Sequence, residues 1–269
     1  NEKNEDYLMV DKNIKSELMT NISYILDNVF GFIGYFIMLF ILLNLWKYIY
    51  SDPSEIINGY SMNQTIWYVA ITEILWSVIG GRKFCHKIVN DVKGGNIAYN
   101  INKPYSYIGY AISSHLGETT IKTIIAMVVG FIMGIIFLKE FPVLSIPAII
   151  IVFISGFLAV LINSLLVAFI GLFSFFIEDS NPLFWLYSKI ILVLGTLFPI
   201  EFFPGVLQSI MRYSPIYVTC YGPAKLFVDF SYSSAIEILI SQIIYLGITW
   251  AMCYALYQKG VRRLNVTGG

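Results

Sequence analysis

The sequence predicts an all-α integral membrane protein with six transmembrane helices, and three observations predict it. Of 269 residues, 57% are hydrophobic and only 13% charged, against about 25% charged in a soluble domain. The mean hydropathy is +0.72. The apolar residues fall into runs with one charge or none, and a helix needs about 20 such residues to cross hydrocarbon. Aromatics at 16% suit a bundle with Trp and Tyr at the bilayer interfaces.

The spans follow in order. Residues 29–46 give the first, free of charge, and residues 65–81 the second, with Glu73 its only charged group. Residues 123–138 give a short third. Residues 141–177 form an uncharged run too long for one straight crossing, so the expectation is a lead-in around Pro142 and Pro147 and then a long tilted fourth helix. The turn Glu178-Asp179-Ser180-Asn181-Pro182 closes it, with Asn181 expected as N-cap and Pro182 at the first helical position of the next helix. The fifth span covers residues 183–198 and the sixth 236–257. The chain reads as one domain: 1–28 a tail and amphipathic connector, 29–258 the bundle, 259–269 a second tail.

Six spans place both termini on one side, and basic residues choose the side. Lys3, Lys12 and Lys15, then Arg82, Lys83, Lys87, Lys93, Lys103 and Lys122, then Lys259, Arg262 and Arg263 share one face. That is twelve of the 17 basic residues; Lys47, Lys139, Arg212 and Lys225 take the other, and Lys189 lies within a span. Both termini are therefore expected in the cytoplasm. In the N-terminal segment, Tyr7, Val10, Ile14, Leu18, Ile22 and Ile25 recur at helical spacing, with Asp11, Lys12, Lys15 and Glu17 elsewhere around the wheel. An interfacial amphipathic helix and a plain run-in to the first span fit that pattern equally. The opening Asn1-Glu2-Lys3-Asn4-Glu5-Asp6 lacks the apolar core of a signal peptide.

Composition and motifs exclude several activities. A net charge of zero gives no case for nucleic-acid binding. Cys85, Cys220 and Cys253 have no metal-ligand or disulfide spacing, and neither His86 nor His115 has a partner in sequence. No nucleotide-binding, metalloprotease or serine-hydrolase motif occurs, so no catalytic and no metal residue is expected. Any ATP-driven work needs another polypeptide.

Two irregular segments remain. One is a basic island, Arg82-Lys83-Phe84-Cys85-His86-Lys87 followed by Lys93-Gly94-Gly95-Asn96-Ile97-Ala98-Tyr99-Asn100-Ile101-Asn102-Lys103-Pro104. Asn96 can open a two-turn helix that must stop by Lys103, because the residue before Pro104 leaves the α region. Ile97, Ala98 and Ile101 share a face. So short a helix needs a surface to pack on, either the underside of the bundle and bilayer or a groove on a partner protein. The other segment, residues 199–225, is apolar and aromatic but broken by Pro199, Pro204, Pro215 and Pro223, so it cannot be one spanning helix. Irregular backbone at membrane depth survives only against protein or a water-filled cavity, which favours re-entrant or interfacial helices capping a pathway over a plain loop.

Polar residues within spans are costly, about 2.5–3.5 kcal/mol for a charge at a helix centre. Glu73 is a candidate pathway residue or a buried, protonated carboxyl. Lys189 sits within two turns of a span end, where snorkelling accounts for it. Asn163-Ser164 suit helix–helix hydrogen bonds better than ligand binding. Gly130 and Gly134 make a GxxxG packing signal.

Four stretches in order carry a resemblance over nearly the whole chain: Tyr7-Leu8 to Lys15-Ser16-Glu17-Leu18 leading to Leu45-Trp46-Lys47; Glu55-Ile56-Ile57-Asn58-Gly59-Tyr60-Ser61; residues 88–104; and residues 199–223 before Gly260-Val261-Arg262-Arg263. The chain resembles the membrane subunit of type-2 ABC transporters, in particular the permease group beside bacterial antibiotic, bacteriocin and viologen exporters. The departures are the doubled Gly94-Gly95, Ile101 in place of leucine, and Glu73. The resemblance implies a second permease, identical or related, and a cytoplasmic ATP-binding subunit that carries ATP and Mg. Lys93, Gly94, Gly95, Asn96, Ile97, Ala98, Tyr99, Ile101, Lys103 and Pro104 would form the coupling element. Phe202, Phe203, Pro204 and Pro215 would form an outer lid, and Glu73, Asn163 and Lys189 are the pathway candidates. The implied activity is export of an amphiphile (a drug, antimicrobial peptide or lipid-like molecule) across a bacterial cytoplasmic membrane. The competing readings are an ion-coupled transporter or channel using Glu73, and a non-transporting immunity or anchor protein.

Overall fold

A computed structural model describes residues 33–34, 36–52, 54–79, 81–101, 106–138 and 142–267. The amphipathic segment expected over 1–28 lies outside them. α1 covers Phe36–Ile49. A two-residue hairpin follows, β1 (Ile56–Ile57) antiparallel to β2 (Tyr60–Ser61). Its turn is Asn58-Gly59 with φ of 50° and 86°, the left-handed pair that tight hairpins demand. Then come α2 (Met62–Ile79), α3 (Arg82–Lys93), α4 (Asn96–Ile101), α5 (Tyr107–Leu138) and α6 (Ile146–Leu172). α7 (Asn181–Ile191) runs into a π turn at Leu192–Thr196. A 3-10 turn at Ile200–Phe202 leads to α8 (Gly205–Arg212), a second π turn at Tyr217–Tyr221, α9 (Gly222–Val228) and α10 (Tyr232–Thr267).

The helical membrane-type fold matches the expectation; the span boundaries are revised. Among the described residues, three helices are long and apolar enough to cross a bilayer, within Tyr107–Ile132, Ile146–Phe175 and Tyr232–Arg263. The helix expected over 123–138 begins sixteen residues earlier, at Tyr107, so α5 continues through the stretch read as an extramembrane exit. α10 likewise carries through Lys259, Arg262 and Arg263. The fourth helix starts at Ile146 with Pro147 in its first turn, as the proline lead-in implies. The cap of α7 shifts by one residue to Ser180, because Asp179 Oδ1 takes both the backbone N–H (3.1 Å) and the side-chain amide (2.7 Å) of Asn181.

α6 is apolar on every side, as a bundle-centre or membrane helix must be, and α10 packs along it. Gln242 Nε2 donates to Ser155 O at 3.0 Å and to Val218 O at 2.9 Å, and Cys253 Sγ contacts Leu165 O at 3.0 Å. Two apolar clusters form the core. The larger joins Leu39, Leu43 and Trp46 of α1, Ile66 and Trp67 of α2, and the α9 region. The smaller sits at the basic end, where α3 and α4 meet α5, α6 and α10. Gly134 permits the α2–α5 approach, since a Cβ there would fall 2.2 Å from the Trp67 ring. The expected GxxxG glycine thus packs within the chain.

Candidate functional site

At the basic end, α3 buries Phe84, Cys85, Ile88, Val89 and Val92 and leaves Arg82, Lys83 and Lys87 exposed. That spacing is one helical stripe. The stripe lies against the end of α6 at Gly171, where any Cβ would be 3.0 Å from Ile88. Phe84 stacks on His115 of α5 at 4.3 Å, and burial pushes the Cys85 thiol up to about 12. An un-ionised thiol at neutral pH is a packing group, not a nucleophile or ligand.

The chain then reverses at Gly94-Gly95. Gly94 N–H donates to Asn90 O at 2.8 Å, and a Cβ on Gly94 would sit 2.9 Å from that same carbonyl. Gly95 has φ +73°, a conformation costing other residues about 1–2 kcal/mol. Both glycines are therefore required by geometry, each for a separate reason. α4 follows, with Asn96 as its first residue; one tie holds it and two more hold the end of α3 that leads into it. Ile97 is 0% exposed inside the smaller core cluster. Tyr107 at the start of α5 donates to Asp91 Oδ2 at 2.8 Å. Lys93 Nζ stands 3.7 Å from Asp179 Oδ1 in the turn before α7. The backbone N–H of Asn181, with Lys93 in support, holds the Asp179 carboxyl below its usual range.

The coupling residues expected from sequence thus divide. Ile97 faces inward, against its own chain. Tyr99 is 72% exposed and stands out from the surface beside exposed Lys93, Gly94, Gly95 and Asn96. The side chains of Ala98 and Ile101, and all of Lys103 and Pro104, lie outside the described residues. Of the two surfaces open to this turn, the underside of the bundle takes Ile97. A large aromatic carrying a hydroxyl remains outermost, a residue type enriched at interface anchors.

Glu73 is 3% exposed within the bundle, with Oε1 unpartnered among the described residues. Neighbouring Thr72 donates to Thr196 O at 2.9 Å, so α2 grips the π turn that follows α7. Lys189 does not meet Glu73: it lies on the exposed face of α7, 6.0 Å over the Trp185 ring. Asn163 is buried in α6 and accepts from Tyr187 OH at 2.6 Å, a helix–helix bond as expected. No group of three potential metal ligands occurs among the described residues.

At the opposite, proline-broken end, Phe202 packs edge-on against Trp46 at 5.3 Å and lies 6.2 Å from Tyr60; Phe203 packs on Phe198 at 5.9 Å. Pro204 precedes α8 as its cap and Pro215 begins the helical run into the second π turn. α8 leaves Val206, Leu207 and Ile210 exposed. A polar clamp holds this segment. Glu201 accepts from Tyr60 OH at 3.1 Å and from Tyr221 OH, while Lys225 lies 4.8 Å over the Tyr60 ring. Burial and the Glu201 carboxylate push the Tyr60 phenol far above its ordinary value. Sequence reasoning missed this clamp. The one signal was Glu201 itself, the single acidic residue of the 199–225 segment.

This arrangement contains no catalytic constellation among the described residues. The sequence model of the family described as ABC-2 family transporter protein matches residues 36–268. No curated protein matches the chain. That match takes in α1, the hairpin, the α3–α4 turn, the proline-broken segment and α10, so the chain belongs to the ABC-2 transporter family and is a membrane-spanning permease component of an ABC transporter, a kind that works with a separate ATP-binding subunit.

Proposed function

We propose that this permease is one half of an ATP-driven exporter that moves an amphiphilic substrate out of the cytoplasm or inner leaflet. α1, α2 and the α7 segment complete six crossings with α5, α6 and α10, and the basic end faces the cytoplasm of a bacterium. A second permease, identical or related, completes the pathway. The ATP-binding subunit holds ATP and Mg and grips the Gly94–Tyr99 turn.

One observation carries this reading. α4 is too short to stand alone, yet Ile97 fixes it to the bundle, and α3 before it is held by Tyr107 and Asp179, with Tyr99 left exposed. A rigid attachment below and an aromatic above is what a lever needs. A push on Tyr99 passes through Ile97 and α3 to α6 at Gly171. At the other end, Phe202, Phe203, Pro204 and Pro215 form the lid, latched by Glu201. Glu73 and Asn163 lie in the interior between lever and lid, and the exposed position of Lys189 supports snorkelling instead of a pathway role.

The test is reconstitution of this chain in vesicles with and without its ATP-binding subunit. Uptake of a labelled amphiphile into inverted vesicles should require both the subunit and ATP. Flux from the isolated chain, driven by a proton or sodium gradient and lost in Glu73→Gln, would replace the exporter reading with the ion-coupled one.

A further inference from the structure

α2, α5 and α6 meet but leave space along their shared seam. Between them lies a cleft of about 570 Å³, floored by Ile74, Met127 and Phe227 and opening outward past Ile124, Phe153 and Phe157. These last three are 52%, 57% and 59% exposed, so the cleft is open along its side. Both flanking helices are long and apolar enough to span a bilayer, and the opening then faces hydrocarbon.

The lining contains threonines, but their hydroxyls are already used. Thr119 donates to His115 O at 2.9 Å, Thr120 to Leu116 O at 2.7 Å and Thr123 to Thr119 O at 2.8 Å. Each turns its proton onto its own helix, so these hydroxyls keep no donor for a polar ligand. The cleft accepts hydrocarbon and little else.

Basic residues stand beside the cleft toward α3. Leu116 and Thr119 mark the end nearest α3. Lys122 follows on the same helix, and Lys87 of α3 reaches Ser114 Oγ at 3.3 Å and lies 5.9 Å over the Tyr110 ring. Both lysines and Glu118 act on His115, leaving a net positive mouth. Basic groups at a membrane surface attract anionic headgroups.

We propose that this cleft is a lipid site: one acyl chain of an anionic phospholipid lies between α5 and α6, its tail reaching Ile74 and Phe227, its phosphate at Lys87 and Lys122. The inference rests on α5 and α6 crossing the membrane and is independent of the ATP-binding subunit. The lipid fills space that protein does not, and it touches the helices that border both Glu73 and the proline-broken segment.

Gly156 provides the blocking variant. It lines the cleft, and a Cβ there meets nothing within 4 Å, so Gly156→Trp can occupy the cleft without displacing protein. The full chain is placed in vesicles carrying phosphatidylglycerol with a photoreactive group midway along one chain, and labelled peptides are mapped. Labelling should concentrate on residues 119–131 and 149–160 over the exposed face of α10 at Ile243 and Ile248. It should fall in Gly156→Trp to the α10 level, and in Lys122→Gln, or with a phosphatidylcholine probe, it should drop as well. Equal labelling of the cleft and α10 in the unmodified chain overturns the proposal, whether or not Gly156→Trp folds. Absence of cleft labelling with disulfide formation between two Ile124→Cys copies also overturns it, since a second copy then covers the cleft.

Discussion

Tyr99 and Ile97 sit two residues apart in α4 and should fail in different ways. Ile97 is 0% exposed and Tyr99 72% exposed. Removing a buried isoleucine costs about 2–5 kcal/mol, whereas a substitution at an exposed position usually costs about 1 kcal/mol or less. Ile97→Ala should therefore lower the thermal unfolding midpoint, and Tyr99→Ala should change it far less. Binding should rank them differently. If Tyr99 anchors the ATP-binding subunit, its truncation costs at least about 2 kcal/mol of association, or roughly 30-fold in Kd. The assay is a titration of the purified ATP-binding subunit onto the permease in nanodiscs, paired with thermal unfolding of each variant. Unchanged affinity in Tyr99→Ala, with Ile97→Ala also binding normally, would refute the claim that this turn is where the subunit docks.

Other outcomes follow from the same contacts. Gly134→Ala drives a methyl into the Trp67 ring, and overpacking of this kind costs about 1–3 kcal/mol, visible as a lowered unfolding midpoint. Tyr221→Phe removes one donor to Glu201; a hydrogen bond to a charged group is worth about 1.5–3 kcal/mol, so protease cleavage within residues 199–213 should quicken, and Glu201→Ala should quicken it further. The Asp179 carboxyl is held below its usual range by the Asn181 N–H and Lys93. Its contribution is thus fully present above the unfolded carboxyl value of about 3.9 and is lost as pH falls through the lower folded value. A pH series of unfolding midpoints from 3 to 6 should show a smaller acid loss in Asp179→Asn than in the unmodified chain, where Asp52 is held low as well.

The parts legible in sequence were those set by composition or by single residues with few conformational options. Long uncharged runs announced α6 and α10, Pro147 announced where α6 starts, and the doubled glycine announced the reversal before α4. Helix ends were less legible. α5 runs back to Tyr107 through polar Ser113 and Thr119 because their hydroxyls donate to backbone carbonyls one turn back in the same helix, so polarity there did not mean irregular chain. The hairpin at Asn58-Gly59 was overlooked although its turn pair is a strong signal, because two residues per strand leave no alternation to read.

The sequence by itself determined the solvent this protein lives in and the absence of nucleotide-binding and hydrolase motifs. These depend on sums over many side chains and survive any rearrangement of the helices. Only the tertiary structure decided which way α4 turns its residues, that Glu201 joins Tyr60 to Tyr221, and that Lys189 stays apart from Glu73. Those are pairings between residues as many as 141 positions apart. They are fixed by which helix faces meet, and in a bundle whose helices are apolar on nearly every side the local pattern no longer says which face that is.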